Sequence, residues 1–398
     1  MIIKVEHDKL VAVLEKAASV AASKGKATFL QAIWLSATEH GELQVEVTDS
    51  QLEYKGKCDC EVGTPGKAGA SRHLYDLVRK LPGGEMSLSV DDAHNMVVRS
   101  GRRKYTLPVY DPSWYQPVSV PDSDMSKAPA AMIRDMLGHT SWAASPDPVD
   151  ESMHLVNIEL LQDSRAYRSW ALDGHKLAMF TGLEIDQTIS LGELEKSGRV
   201  PIAKNHAQAL LKMLPKKPIS EMGWAIDHSR MYVRSGDGTH CLSAPLSTHQ
   251  APNVDALLDK TRSEYKMTIW VDQLLEALDR ISVFTSDTQR SAQLRWTDST
   301  CLEISIASQD KGRACEVVVM DGCTVDPKQM DGLTMPVKEW QSVIKQLKSD
   351  FEVDTLEMNF SDRNGPVVHH LSGPERGSMR VLLMPMTAKE DEETYYEE

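Results

Sequence analysis

The hexapeptide MVVRSG at 96–101 returns as MYVRSG at 231–236, and a weaker copy, VHHLSG, follows at 368–373. Each interval is about a third of the 398-residue chain. A chain of this length exceeds what one hydrophobic core usually serves. The spacing therefore predicts three copies of one unit, each with the same helices and strands in the same order.

Two helical patterns recur with the hexapeptides. One precedes each copy: SRHLYDLVRKL (71–81), AKNHAQALLKML (203–214) and VKEWQSVIKQL (337–347). A constant shift of 133 carries Leu74, Leu77, Val78 and Leu81 onto Ala207, Leu210, Leu211 and Leu214, then onto Trp340, Val343, Ile344 and Leu347. These positions fall at i, i+3, i+4 and i+7, which puts them on one buried helix face. The other opens each third, at 7–23, 130–145 and 272–286, and closes on S-x-x-x-S: Ser19 and Ser23, Ser141 and Ser145, Ser282 and Ser286. Alternating stretches such as LQVEVTDSQLEYKGKC and CLEISIAS read as strands between turn residues. Two helices and several antiparallel strands per unit make an α+β class with three domains, at 1–122, 123–252 and 253–387. The acidic stretch 388–398 lies outside the repeats and reads as a disordered tail.

With 41% hydrophobic and 26% charged residues, and no long apolar run, the chain reads as soluble and cytoplasmic, with no membrane partner. The six cysteines lack C-x-x-C spacing, so free thiols are expected and no metal or other cofactor. The net charge of −14 argues against a nucleic-acid partner until it is partitioned. Taken with their flanks, as 7–26, 71–81, 126–142, 203–217, 272–284 and 337–348, the six helical segments sum to +9, which leaves −23 for the rest. Arg79, Lys212 and Lys345 correspond under the repeat shift and avoid the apolar stripe. Such faces turned toward one axis would line a surface suited to a polyanion, contacting phosphates without reading sequence.

VVRSGRRKYTL (97–107), WALDGHKLAM (170–179), RVPIAKNHAQALLKML (199–214) and VLLMPM (381–386), in this order and spacing, resemble the bacterial DNA polymerase III β subunit family, the sliding clamp of the replicase. The resemblance spans residues 1 to about 387 and implies half of a head-to-tail homodimer ring. Its helices would line a hole around duplex DNA, and the ring would tether the replicative polymerase, be opened by a clamp loader, and bind other proteins carrying a clamp-binding motif. Carried over by position, the DNA-facing residues are Lys24, Lys26, Arg79, Lys204, Lys212 and Lys345. The partner-peptide pocket is Leu155, Leu172, Gly174, His175, Lys176, Leu177, Pro252, Leu257, Leu382, Met384, Pro385 and Met386. The dimer contact is Tyr105 and Leu107 against Val283 and Phe284, with Arg102, Arg103 and Lys104 beside it. The chain departs from the family at Met153 and His154, where aromatic residues are usual, at Ala256, where arginine is usual, and in its MPMTA ending.

Two other readings compete. Asp173, His175 and a serine would suit a hydrolase, but no G-x-S-x-G elbow is present, and LDGHKL reads as a turn between strands. GTPGKAGA at 63–70 lacks the spacing of a phosphate-binding loop. A clamp serving a phage or plasmid would share every feature above.

Overall fold

In the computed structural model the described residues are all but 22–26, 116, 119, 121–124, 216–220, 260, 327–329, 331, 374–376 and 387–398. Lys24, Lys26 and the acidic tail 388–398 therefore lie outside the described residues. The helices are α1 (His7–Val20), α2 (His73–Val78), α3 (Ala130–Ser141), α4 (Glu193–Ser197), α5 (Lys204–Leu211), α6 (Val254–Leu258), α7 (Val271–Ser282) and α8 (Val337–Phe351). All strand pairings described below are antiparallel, as the α+β reading requires.

The chain forms two compact units. The first joins Met1–Gly138 to Ile185–Thr248; the second joins His139–Glu184 to the described residues from His249 on. The sheet of the first runs, in spatial order, through Ser126–Pro129, Glu221–Ile226, Arg230–Arg234, His240–Pro245, Glu53–Asp59, Glu42–Thr48, Ala32–Ala37, Gly66–Ser71, Arg103–Tyr110, Asn95–Ser100, Glu85–Val90, Ile2–Glu6 and Glu61–Thr64. The sheet of the second runs through Leu155–Leu161, Ala166–Leu172, Lys176–Glu184, Gly377–Leu383, Val367–Gly373, Thr355–Phe360, Tyr265–Trp270, Gly312–Cys323, Cys301–Ser308, Ser291–Trp296 and Leu333–Pro336.

One order of elements recurs along the chain. A strand leads directly into α1, α3 or α7 (Ile2–Glu6, Ser126–Pro129, Tyr265–Trp270). A second strand leads into α2, α5 or α8, and three further strands close the copy. The matched hexapeptides fall on the middle strand of those three: Asn95–Ser100, Arg230–Arg234 and Val367–Gly373. Burial corrects the third match by one residue. Met96, Val97 and Val98 are buried, as are Met231, Tyr232 and Val233, and the corresponding run is Val367, Val368 and His369. His369 thus takes the place of Val98 and Val233.

The apolar stripes pack as the 3.6-residue period requires. Leu74, Val78, Ala207, Leu210, Trp340, Val343, Ile344 and Leu347 are buried, while Leu77 and Leu211 are half-buried. Two helices are shorter than the pattern predicts, because Arg79 and Lys212 close α2 and α5 as caps and turns carry on to Leu81 and Leu214. Of the serine pairs, Ser19 and Ser282 donate back to the carbonyls of Lys16 and Asp279, at 2.7 Å each, near where α1 and α7 end.

Candidate nucleic-acid and peptide interfaces

In the first unit α1, α2, α5 and the part of α3 up to Gly138 are joined in one layer. The His7 ring bonds the Val78 carbonyl at 3.0 Å, joining α1 to α2, and Lys16 Nζ donates to the Lys212 carbonyl at 2.6 Å, joining α1 to α5. Arg134 of α3 donates to the carbonyl of Pro215, just beyond α5. Arg79 and Lys212 are exposed on this layer and Lys204 is half-buried at the start of α5. Arg79 meets Asp76 at 3.3 Å and lies over the Tyr75 ring. Exposed pairs of this kind hold weakly and leave the guanidinium available to an anion. In the second unit Lys345 is exposed on α8, which packs against α7.

The second unit also carries a predominantly apolar groove of about 220 Å³, lined by Leu172, Gly174, His175, Lys176, Leu177, Leu257, Thr261, Pro366, Leu382 and Met384. Strand register builds its floor. Leu172 pairs with Leu177, Leu177 with Leu382, and Leu382 with Val368, so four apolar side chains form one row across four strands. The hairpin carrying Leu172 and Leu177 turns at Asp173–Lys176. Asp173 Oδ1 accepts from the amides of His175 and Lys176 at 3.0 and 2.9 Å, and its carboxylate meets Lys176 Nζ. Burial works against the charged carboxylate, but those bonds hold it below the usual range. Gly174 supplies φ +89°. Asp173 and His175 are thus turn residues.

Helix α6 forms one wall. Asn253 caps it by accepting from the Ala256 amide at 3.1 Å; Val254 is buried against Trp170, Leu172, Leu177, Met179, Val368 and Leu382. Arg168 bonds Glu159 and Asp255 at 2.8 Å each, tying α6 to the sheet, and holds the Asp255 carboxyl below its usual range. Leu257 and Met384 remain about two-fifths exposed, at 43% and 39%, and form an apolar rim.

Eight residues carried over from the resemblance thus gather around the groove. Leu155 is buried on its strand, Pro252 and Pro385 are half-buried, and Met386 is exposed with its amide on the Thr334 carbonyl; these four stand outside the lining. Thr261 and Pro366, which no sequence pattern marked, complete it. Met153 packs beneath, beside Gly174.

Among the described residues, Arg103–Tyr110 and Gly312–Cys323 are each paired along only part of one edge. Arg103–Tyr110 pairs along its length with Asn95–Ser100, but on its other side only Val109 and Tyr110 meet Gly66–Ser71. Gly312–Cys323 pairs through Val319 with Cys301–Ser308, but on its other side only Met320 to Cys323 meet Tyr265–Trp270. Tyr105 and Leu107 are half-buried on the first; Val317 and Val319 are exposed on the second, as is Val283 beyond α7, with Phe284 half-buried beside it. Val317 and Val319 escaped the sequence reading because a buried strand reads much the same.

The repeated units and this apolar groove define the α+β fold of a sliding clamp. By sequence and by fold the chain resembles the DNA polymerase III beta subunit from end to end, and residues 1–119 match the model of that family's N-terminal domain. A Rickettsia felis beta sliding clamp is 24% identical over 391 residues, 96% of this chain and 98% of that one. A Staphylococcus aureus beta sliding clamp is 20% identical over 316 residues, 79% of this chain and 78% of its own. The Bacillus subtilis sliding clamp superposes with TM-score 0.84 at 17% identity, covering 98% of this chain and all of the other. A Bartonella birtlesii sliding clamp bound to griselimycin superposes with TM-score 0.85 at 20% identity and the same coverage. The family is a non-catalytic polymerase subunit, and the hydrolase reading falls with Asp173 and His175 in their turn.

Proposed function

We propose that the chain is half of a head-to-tail homodimer ring that encircles duplex DNA and tethers the replicative polymerase, with the groove taking linear peptide segments of the polymerase, the clamp loader and other partners. Its repeats would be the three domains 1–122, 123–252 and 253–387. The carrying observation is the use of strand edges. His240–Pro245, the last strand of the second copy, pairs with Glu53–Asp59 of the first. Gly377–Leu383, the last strand of the third, pairs with Lys176–Glu184 of the second. The chain makes the same seam twice and leaves one partner of each kind over: Arg103–Tyr110, the last strand of the first copy, and Gly312–Cys323 of the third. Joining them between two chains repeats the seam and closes a ring. It would set Tyr105 and Leu107 near Val283, Phe284, Val317 and Val319, with Arg102, Arg103 and Lys104 beside them. Arg79, Lys204, Lys212 and Lys345 would face the DNA phosphates.

The deciding measurement uses the protein loaded on a nicked circular plasmid. A threaded ring stays through gel filtration and is lost when the circle is cut once; retention on the linear product would overturn encirclement. Griselimycin is a first ligand to test against the groove by competition with a peptide, because a structurally similar clamp was crystallised with it.

A further inference from the structure

We propose that Arg168 is a positioning residue of the groove: it grips Asp255 on the far side of α6 and so fixes where the Leu257 wall stands over the floor. The proposal rests on reading the groove as a peptide site.

Helix α6 has five residues, VDALL, too few to hold their shape or place in water unaided. What the helix touches decides where it stands. At 3.6 residues per turn, Val254 and Leu258 share the side that meets the floor, and both pack on the cluster of Trp170, Leu172, Leu177 and Leu382. Asp255 and Leu257 then project about 80° to either side of that line. Leu257 lines the groove and Asp255 does not. Hydrophobic packing has no direction, so the buried pair keeps α6 down without fixing its roll or its slide along the floor. Of the five side chains only Asp255 can form a hydrogen bond.

Its partner imposes a geometry. Arg168, Trp170 and Leu172 alternate along one strand and share a face, about 7 Å from one to the next, so the strand that supplies the groove's leucine also supplies the grip on its wall. Glu159 stands opposite Arg168 in the register, and one of its oxygens accepts from Nε at 2.8 Å and from Nη2. Nη1 and Nη2 donate to the two oxygens of Asp255 at 2.8 and 3.2 Å. A guanidinium held on both edges of its fork has one orientation, and it passes that orientation to α6. The Arg168 and Glu159 side chains are 17% and 15% exposed, whereas Asp255 is 61% exposed. Glu159 therefore keeps Arg168 paired when Asp255 is changed, and no buried charge is left alone.

Full-length chains carrying Asp255→Lys, Asp255→Glu or Leu257→Ala test this. The amides of Ala256 and Asp259 are bonded within α6 and its cap, at 3.1 and 2.9 Å. In millisecond hydrogen–deuterium exchange they should exchange about tenfold faster in Asp255→Lys, which sets two cations face to face, while the core strands keep their rates. Asp255→Glu should restore the slower exchange. Exchange unchanged at these two amides, or accelerated throughout the chain, overturns the proposal and leaves the peptide site standing. In calorimetric titration with griselimycin, weakened binding by Leu257→Ala places this ligand in the groove. Asp255→Lys should then bind it about threefold more weakly, as the share of chains with the wall in place falls, and Asp255→Glu should match the unaltered chain. Full affinity in Asp255→Lys beside a weakened Leu257→Ala overturns the proposal alone. If neither substitution weakens binding, or if nothing binds, the peptide-site reading falls and the proposal with it.

Discussion

Leu257 and Leu382 both line the groove, yet one is 43% exposed and the other 7%, so substituting them asks different questions. Leu257→Ala removes rim surface already in water, and the fold should keep its stability to within about 0.5 kcal/mol while affinity for the linear peptide proposed to fill the groove falls. Leu382→Ala hollows the floor row, and urea unfolding should show a loss of about 2–4 kcal/mol. His369 makes a further prediction at this scale. Its ring is buried, and burial pushes its pKa down to about 4 against a smaller opposing pull from the Glu357 backbone. The unfolded chain, near 6.5, takes the proton first, so protonation favours unfolding. Stability should therefore rise with pH between about 4 and 6.5, with a contribution from this residue of up to about 1.4 kcal/mol per pH unit. His369→Val should remove that part of the slope, and unfolding midpoints across the window will show whether it does. Which residues meet at the groove was legible only through the family resemblance. Thr261 and Pro366 come from separate loops, and no local period connects a loop residue to a distant strand.

Periodicity made the helices and their buried faces legible, because a stripe at i, i+3, i+4 and i+7 has one way to hide from water. It served less well for helix ends, where Arg79 and Lys212 prolong the pattern as turns. The third hexapeptide misled by one position because Ser372 and Gly373 stay paired in their strand, opposite Ser378 and Gly377, whereas the first copy turns at Gly101. Strand edges were the least legible, since pairing is a property of neighbours far along the chain. Their proposed role makes a prediction. Val317 and Val319 are 60% and 52% exposed, so Val317→Asp with Val319→Asp should leave the unfolding midpoint of the isolated chain nearly unchanged. Sedimentation should then show a monomer in place of a dimer.

At the level of the molecule, the expectation of basic helices is corrected: α1, α2, α3, α5, α7 and α8 together carry −1, and the described basic residues behind the expected excess, among them Arg72, Arg79, Lys80, Lys127 and Lys212, flank the helices. If Arg79, Lys212 and Lys345 neutralise phosphates, replacing each with glutamine should weaken DNA retention uniformly across sequences. Each replacement should also lower the slope of log affinity against log salt by about 1 for every phosphate left without its cation. A slope unchanged in the triple variant would remove these residues from the DNA surface. The seams carry one more consequence. The two inside the chain are backed by continuous backbone, whereas the joint between chains would rest on strand edges and side-chain contacts without a covalent link. A closed band built this way would part where nothing covalent spans the gap, so on the proposed reading that joint would be the gate through which a double helix enters.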